Sequence, residues 1–317
     1  MKGFSHSPDI ETNCRQILFE LIEHSQDQLN RDSQYSREIL HEARRNFKKI
    51  RALLRLVRHG LGDEAYKKEN YFFRDLGRAL SKVRDTDSSI EIFKQLVHHE
   101  LYWQNPHAET VETIQQFLDE RRYHLYLYDI KTVDLLGSIS EKLETKKEQI
   151  GKSMSKLPND FDVLASGLKK IYKKGLKRFH AAYPNPDDEE SEDVPAEAYH
   201  EWRKEVKYLR YQLDMLAYIW PDLMAALEDE AHHLTDLLGL EHDLQVLKQT
   251  LKKAVKKDQI DANIDDLYSE IARWQNDLRA QAEPFGQRMY AEKPKRFIKR
   301  IRRYEKTQRQ IQIHSQK

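Results

Sequence analysis

The stretch that decides the fold is HEARRNFKKIR at residues 41–51, because it returns as HEWRKEVKYLR at residues 200–210. Both copies follow the pattern HExRxxxKxxR, and they lie 159 residues apart. Farther along the chain, two leucines and a basic–acidic pair repeat at a shift of 158 residues. These are Leu76, Leu80, Arg84 and Asp85 in the first copy and Leu234, Leu238, His242 and Asp243 in the second. Two matches at nearly one offset indicate an internal repeat.

The rest of the chain has the pattern of helices. Apolar residues recur at helical spacing, as in Ile10, Cys14 and Ile17, and no stretch has a sustained period of two. Only 10 glycines and 9 prolines occur in 317 residues, below the roughly 7% and 5% of average proteins, which disfavours turn-rich β folds. We therefore expect an all-α protein of about ten to twelve helices. Together with the repeat, this predicts two similar helical bundles over residues 1–160 and 161–317, related by a pseudo-twofold axis.

The composition predicts a soluble globular protein, because 34% of residues are charged, 39% are hydrophobic and the mean hydropathy is −0.86. No membrane segment is expected. The single cysteine, Cys14, cannot form an internal disulfide, and the N-terminus lacks the apolar run of a secretory signal. A cytoplasmic location is therefore expected. The 54 basic and 53 acidic residues leave a net charge of +1, so a polyanionic partner can be inferred only from local clusters.

A row of basic side chains follows each copy of the repeat. On a helix that turns by ~100° per residue, the first row falls within an arc of roughly 100°, and over ~25 Å it would span several phosphate groups. Apolar residues such as Phe47 and Ile50 occupy the other side and serve the core. The second row is shorter, because Asp214 replaces the counterpart of Arg55. The first row comprises His41, Arg44, Lys48, Arg51, Arg55 and Arg58, and the second comprises His200, Arg203, Lys207 and Arg210.

Two further basic clusters accompany these rows. One lies just before the second row and shares a helix face opposite Leu168 and Tyr172. The other surrounds Phe297 and Ile298 near the C-terminal end of the sequence. The former contains Lys170, Lys173, Lys174, Lys177 and Arg178, and the latter contains Arg296, Lys299, Arg300 and Arg303.

The single sign of the first row favours a bound anion over a solvated helix face. Solvated faces usually mix signs, because like charges three or four residues apart repel by a few tenths of a kcal/mol per pair. A solvated face also has no reason to keep His at its head and Arg ten residues later in both copies. We therefore interpret the rows as surfaces that bind a polyanion.

The pattern HExRxxxKxxR, the later helix ending in Arg-Asp or His-Asp, and LKKIYKKGLKRF at residues 168–179 resemble the CHAD family, the conserved histidine α-helical domain. The resemblance covers about residues 11–309. It implies two pseudo-symmetric, antiparallel four-helix bundles that together form one domain and present a basic surface to inorganic polyphosphate. The binding residues that it implies, together with Arg55 from the first row, are His41, Arg44, Lys48, Arg51, Lys170, Lys174, Lys177, Arg178, His200, Arg203, Lys207 and Arg210.

The expected function is therefore non-enzymatic binding of inorganic polyphosphate in the cytoplasm, with association with polyphosphate granules as one place of action. Two features depart from the family pattern. The near-neutral total charge and the acidic stretch at residues 187–193 would weaken long-range attraction to a polyanion. The ExExK motif of the triphosphate-handling domain that often accompanies this family does not occur, which predicts a lone CHAD unit.

Metal binding and catalysis are alternatives that the motifs disfavour. After His41 and His200, the second ligand position of an HExxH zinc motif is occupied by Arg45 and Lys204. An imidazole that donates a hydrogen bond to phosphate is the expected role of both histidines. Phosphoryl transfer needs a metal held by carboxylates or a glycine loop of the type GxxxxGK[ST], and the sequence shows neither. No catalytic residue, metal or cofactor is therefore predicted.

Two alternatives stay open at the level of the sequence. RNA or DNA would offer phosphates to the same basic helices, and Tyr211, close to the face of the second row, could stack on a base. The first row contains no aromatic residue for this purpose. A helical scaffold that binds protein partners is the other alternative.

Overall fold

The computed structural model describes residues 3–4, 9–30, 37–99, 108–127, 134–184, 194–260 and 264–315, and all regular secondary structure in these ranges is helical. This confirms the all-α prediction. None of the described helices has the length and apolar content that crossing a membrane requires. The elements are α1 (Ile10–Leu29), α2 (Arg37–Leu56), α3 (Arg58–Leu61), α4 (Asp63–Ala79), α5 (Ser81–Val97), α6 (Ala108–Leu125), α7 (Leu135–Met154), α8 (Phe161–Ala182), α9 (Ala196–Met215), a 3₁₀ turn (Ala217–Ile219), α10 (Pro221–Val255), α11 (Asp265–Met289) and α12 (Pro294–Ser315).

The helix boundaries repeat along the chain at the offsets of the sequence repeat. A shift of 159 residues carries α2 onto α9, and it carries the start of α7 onto the start of α12. A shift of 158 residues carries the start of α4 and the end of α5 onto the two ends of α10. The segment that forms one continuous helix, α10, in the second copy is therefore interrupted at Leu80 in the first copy, where it forms α4 and α5. The pseudo-twofold axis itself stays a prediction.

Two clusters of buried apolar side chains form the core. In the larger cluster, Phe47 and Leu54 of α2 are buried together with Leu168 of α8 and Trp202 of α9. The smaller cluster joins α5 and α6 with α10 and α11, and Phe93 and Leu247 belong to it. Both clusters contain residues from before and after position 160, so the two predicted halves share their hydrophobic cores.

The helices that hold the two HExRxxxKxxR copies pack directly against each other and against α8. Gln212 of α9 donates from Nε2 to the carbonyl oxygen of Ala52 in α2 at 3.1 Å. Gly167 of α8 allows a close approach to α2, since a Cβ at this position would lie 2.0 Å from the carbonyl oxygen of Leu56. The two basic rows are thereby fixed on neighbouring helices.

Candidate anion-binding site

Two histidines meet where α9 packs on α10. The Nδ1 atoms of His200 and His242 are 3.1 Å apart, and the ring centroids are 4.2 Å apart. Burial, followed by the nearby charges of Lys204 and Arg203, lowers the pKa of His200 to about 4. Burial, followed by Arg203 and His200, lowers the pKa of His242 to about 3. Both rings are therefore neutral at neutral pH.

The neutral pair leaves a hydrogen-bond donor for a ligand. Two neutral rings whose Nδ1 atoms share one hydrogen bond need one Nδ1 to donate and the other to accept. The accepting ring then carries its own proton on Nε2, where it can be donated to a phosphate oxygen. The pair His200–His242 can therefore offer one neutral N–H donor to a ligand.

Lys207 lies on α9 two turns after His200, and its amine is poorly solvated. Burial, followed by the charges of Arg203 and Arg210, lowers the pKa of Lys207 to about 7, although Asp236 and Asp243 act in the opposite direction. Within the described part of the chain, no carboxylate forms an ion pair with Lys207. The folded protein therefore disfavours the protonated form of Lys207, and a bound anion would stabilise it.

The fourth residue of each copy lies against the next long helix. Arg203 approaches α10 at Gly239, where an added Cβ would be 3.3 Å from Nη2. Arg44 donates from Nη1 to the carbonyl oxygen of Gly77 at 2.9 Å, near the C-terminal end of α4. This contact satisfies a carbonyl next to the break between α4 and α5. Glycines at 77 and 239 thus lie beside the two equivalent guanidinium groups.

The first copy contributes to the same site through α2. The charge of Lys48 lowers the pKa of both His200 and His242, which places the Lys48 amine within electrostatic reach of the histidine pair. Three helices therefore bring six basic side chains together in what we call the basic cluster. Its members are Lys48, His200, Arg203, Lys204, Lys207 and His242.

The far ends of the two rows are bound inside the protein. Arg51 and Arg55 both donate to Asn70 Oδ1, at 3.2 and 2.7 Å. The Arg55 guanidinium also lies 3.9 Å from the centroid of the Tyr208 ring on α9. Arg210 donates to Glu228 Oε1 at 2.5 Å. The expectation that Arg51 and Arg210 lie on free helix faces is therefore wrong, because both side chains are half-buried and have partners on α4 and α10.

The remaining predicted residues lie on the margins. Lys174 and Arg178 of α8 pair with Glu205 and Glu201 of α9, the second pair at 3.5 Å. Arg58 pairs with Asp63 at 2.7 Å. His41, Lys170 and Lys177 are exposed to solvent.

Sequence reasoning missed two members of the basic cluster, His242 and Lys204. The signal for His242 was present, since it stands in the second repeated match beside Asp243. Its counterpart in the first copy, Arg84, lies outside the described side chains, as does the whole acidic stretch at residues 187–193. Lys204 follows Glu201 by one turn and pairs with it, as Arg45 pairs with Glu42 at 2.5 Å in the first copy.

The cluster lacks the features of the rival sites. Among the described residues, no three His, Cys, Asp or Glu side chains converge as metal ligands would. Tyr211 is only 4% exposed, and cations of Lys49 and Arg210 lie 6.0 Å from its ring centroid. Its ring is therefore not available for stacking on a nucleic-acid base.

The comparison with protein families agrees with the repeated motif. The model of the CHAD domain family matches residues 16–252, more than half of the chain. A solved structure described as the crystal structure of the CHAD domain from the plant Ricinus communis is 18% identical, with 96% of this chain and 92% of that chain covered and a TM-score of 0.43. No curated protein matches the chain. The family match extends from α1 into α10 and includes both copies of HExRxxxKxxR, so the chain belongs to the CHAD family.

Proposed function

We propose that the protein binds inorganic polyphosphate at the basic cluster without catalysing a reaction on it. The observation that carries this proposal is the convergence of Lys48, Arg203 and Lys207 with the neutral His200–His242 pair, where no carboxylate of the described residues forms an ion pair with Lys207. An anion placed there would accept charge-assisted hydrogen bonds, which are roughly twice as strong as neutral ones.

The surroundings favour a chain of phosphates over a single phosphate ion. On α8, next to α9, Lys170, Lys173 and Lys177 are exposed to solvent, and they extend the positive surface beyond the cluster. At ~1.5 Å per residue, these three lysines span roughly 10 Å along the helix. A linear polyanion could follow this surface, whereas one phosphate could contact only a part of it.

The same cluster is poorly suited to phosphoryl transfer. That reaction depends on carboxylates that hold a metal ion against the phosphates. Here the carboxylates whose charges act on Lys207, those of Asp236 and Asp243, stand among an excess of cations. Such a site supports binding of the polymer and not a reaction on it. We propose that this binding takes place in the cytoplasm and at polyphosphate granules.

The proposal is tested with Lys48→Gln/Lys207→Gln. Each lost charge-assisted contact is worth about 1.5 kcal/mol, so affinity for long-chain polyphosphate should fall by at least tenfold. The matched control is Lys142→Gln/Lys152→Gln, which removes the same charge from exposed positions on α7 and should change affinity by less than about twofold. Isothermal titration calorimetry at low salt measures both.

RNA matched to polyphosphate in total charge serves as the competitor in the same experiment. Polyphosphate should bind the parent protein the tighter of the two. Equal affinity of the Lys48→Gln/Lys207→Gln variant and the control would refute the basic cluster as the site. Stronger binding of RNA would assign the cluster to nucleic acid instead.

A further inference from the structure

A second basic cleft lies between α8 and α12, on the side of α8 away from the Lys174–Glu205 pair. Its volume is about 260 Å³. Ala165 and Ile298, both buried, form its floor, and basic side chains of both helices surround it. The lining residues are Ala165, Ser166 and Lys169 of α8 and Lys295, Ile298, Lys299 and Arg302 of α12.

The cleft results from small residues on α8 and from a firm attachment of α12. Ala165 and Ser166 fill little of the space opposite Ile298. Two turns farther along α8, the ring of Tyr172 stacks on Phe297 with centroids 4.2 Å apart. The single proton of the Tyr172 hydroxyl is shared between the carbonyl oxygens of Met289 and Glu292, at 3.0 and 2.9 Å, in the segment that leads into α12. The walls of the cleft are therefore held in place before any ligand arrives.

The cleft has more positive charge than its own carboxylates neutralise. Arg302 pairs with Asp162 at 3.0 Å. Among the described residues, no acidic side chain forms an ion pair with the other three cations, which are Lys169, Lys295 and Lys299. Lys299 is exposed and Lys169 is half-buried, so their amines flank the opening from opposite helices.

The position of Lys295 adds to this imbalance. It stands in the first turn of α12, where the helix dipole is already positive, and that turn contains no acidic residue. A cation at a helix N-terminus is unfavourable, whereas an anion there is stabilised. A bound anion would thus offset the repulsion between the lysines and the end of the helix.

We propose that this cleft binds a diphosphate group as a small-anion site separate from the basic cluster. Its volume is below the roughly 300–1,000 Å³ of pockets that enclose drug-sized ligands, which suits two linked phosphates but not a long polymer. The three lysines, which form no ion pair among the described residues, match the charge of such a group, whereas Arg302 is already paired with Asp162. The proposal goes beyond polyphosphate binding at the basic cluster and does not depend on it.

Pyrophosphate is titrated into the Lys48→Gln/Lys207→Gln protein, so that competition from the basic cluster is reduced. Binding is followed through the δ1-methyl signal of Ile298 in a methyl-labelled sample, which reports on the floor of the cleft. We expect this signal to shift in a saturable manner. In the same background, Lys169→Gln/Lys299→Gln should weaken pyrophosphate binding by tenfold or more, whereas Lys142→Gln/Lys152→Gln should leave it within twofold.

Adenosine diphosphate is titrated in parallel to separate an inorganic from a nucleotide source of the diphosphate. A shift with pyrophosphate alone assigns the site to the inorganic anion, and a shift with both assigns it to the diphosphate group in either form. An unshifted Ile298 signal would overturn the proposal, as would equal pyrophosphate affinity of Lys169→Gln/Lys299→Gln and the control. Because the substituted lysines lie outside the basic cluster, Lys169→Gln/Lys299→Gln in the parent chain should retain polyphosphate binding.

Discussion

Arg210 of α9 donates a hydrogen bond from Nε to Glu228 Oε1 of α10 at 2.5 Å, and both side chains are about one-fifth exposed. The first copy repeats this contact, since Arg51 donates from Nε to Asn70 Oδ1 at 3.2 Å. Asn70 and Glu228 are themselves 158 residues apart. The arginine that closes each HExRxxxKxxR motif therefore has a structural partner at the equivalent position of the next long helix.

Arg210→Glu should destabilise the fold. The substitution replaces a half-buried charge-assisted hydrogen bond with repulsion of Glu228, at an expected cost of about 2–3 kcal/mol in the free energy of unfolding. Urea denaturation measures this cost. The exchange Arg210→Glu/Glu228→Arg should recover most of it, because the pair is restored in the opposite orientation. An Arg210→Glu protein as stable as the parent would show that the contact is not formed.

The sequence predicted the elements better than it predicted the roles of the basic residues. Helices follow from the spacing of residues such as Ile10, Cys14 and Ile17, which all proved to be buried on α1. By contrast, the helical projection of α2 placed Arg51 in a free row, because a projection contains no information about the neighbouring helix. Tertiary packing brings Asn70 within hydrogen-bonding distance, and only the structure shows it.

The binding sites, too, could be predicted only in part from the sequence. Lys48, His200, Arg203 and Lys207 were predicted, and they meet in the basic cluster. The cleft between α8 and α12 was not predicted, since it depends on how closely Ala165 approaches Ile298. Periodicity fixes the face on which a residue lies, whereas the distance between two faces depends on side-chain packing.

Polyphosphate binding should weaken as the pH rises from about 6 to about 9, because Lys207 loses its proton in the free protein across this range. Burial, followed by the charges of Arg203 and Arg210, lowers the pKa of Lys207 to about 7. A bound anion favours the charged amine, so binding above this pKa requires uptake of a proton. Affinities of long-chain polyphosphate across this range test the dependence. Lys207→Gln should flatten the profile, and an unchanged slope in that variant would assign the dependence to another group.

The histidine pair should contribute little to that profile. Burial, followed by the charges of Lys204 and Arg203, lowers the pKa of His200 to about 4. Burial, followed by the charge of Arg203, lowers the pKa of His242 to about 3. The rings therefore stay neutral throughout the range. His200→Gln should lower affinity by a similar factor at about pH 6 and about pH 8, when measured by the same titrations. A loss confined to the lower pH would mean that His200 binds as imidazolium.

Affinity should fall steeply with salt. Each phosphate contact releases condensed counterions, and by analogy with single-stranded nucleic acids the slope of log K against log salt is about −0.7 per contact. The four cationic members of the basic cluster, Lys48, Arg203, Lys204 and Lys207, give a slope of about −3. Titrations between about 50 and about 200 mM salt measure it, and Lys48→Gln/Lys207→Gln should reduce its magnitude by about 1.4. A flat response in the parent protein would rule out electrostatic recognition.

Lys207→Met should stabilise the protein while it weakens polyphosphate binding. Because burial, followed by Arg203 and Arg210, lowers the pKa of Lys207 from 10.5 to about 7, the unfolded chain binds more protons between these values. By linkage, the contribution of Lys207 to stability rises with pH across that interval and is least favourable below about 7. Methionine fills the same space without a charge, so the free energy of unfolding at about pH 6 should rise by about 0.5–2 kcal/mol.

Lys68→Met, at an exposed position on α4, should leave stability within about 0.5 kcal/mol. Denaturation and polyphosphate titration of both variants compare the two effects directly. A gain in stability accompanied by a loss of binding identifies a residue retained for its ligand at the expense of the fold, whereas a loss of stability would mean that the Lys207 amine has a structural role.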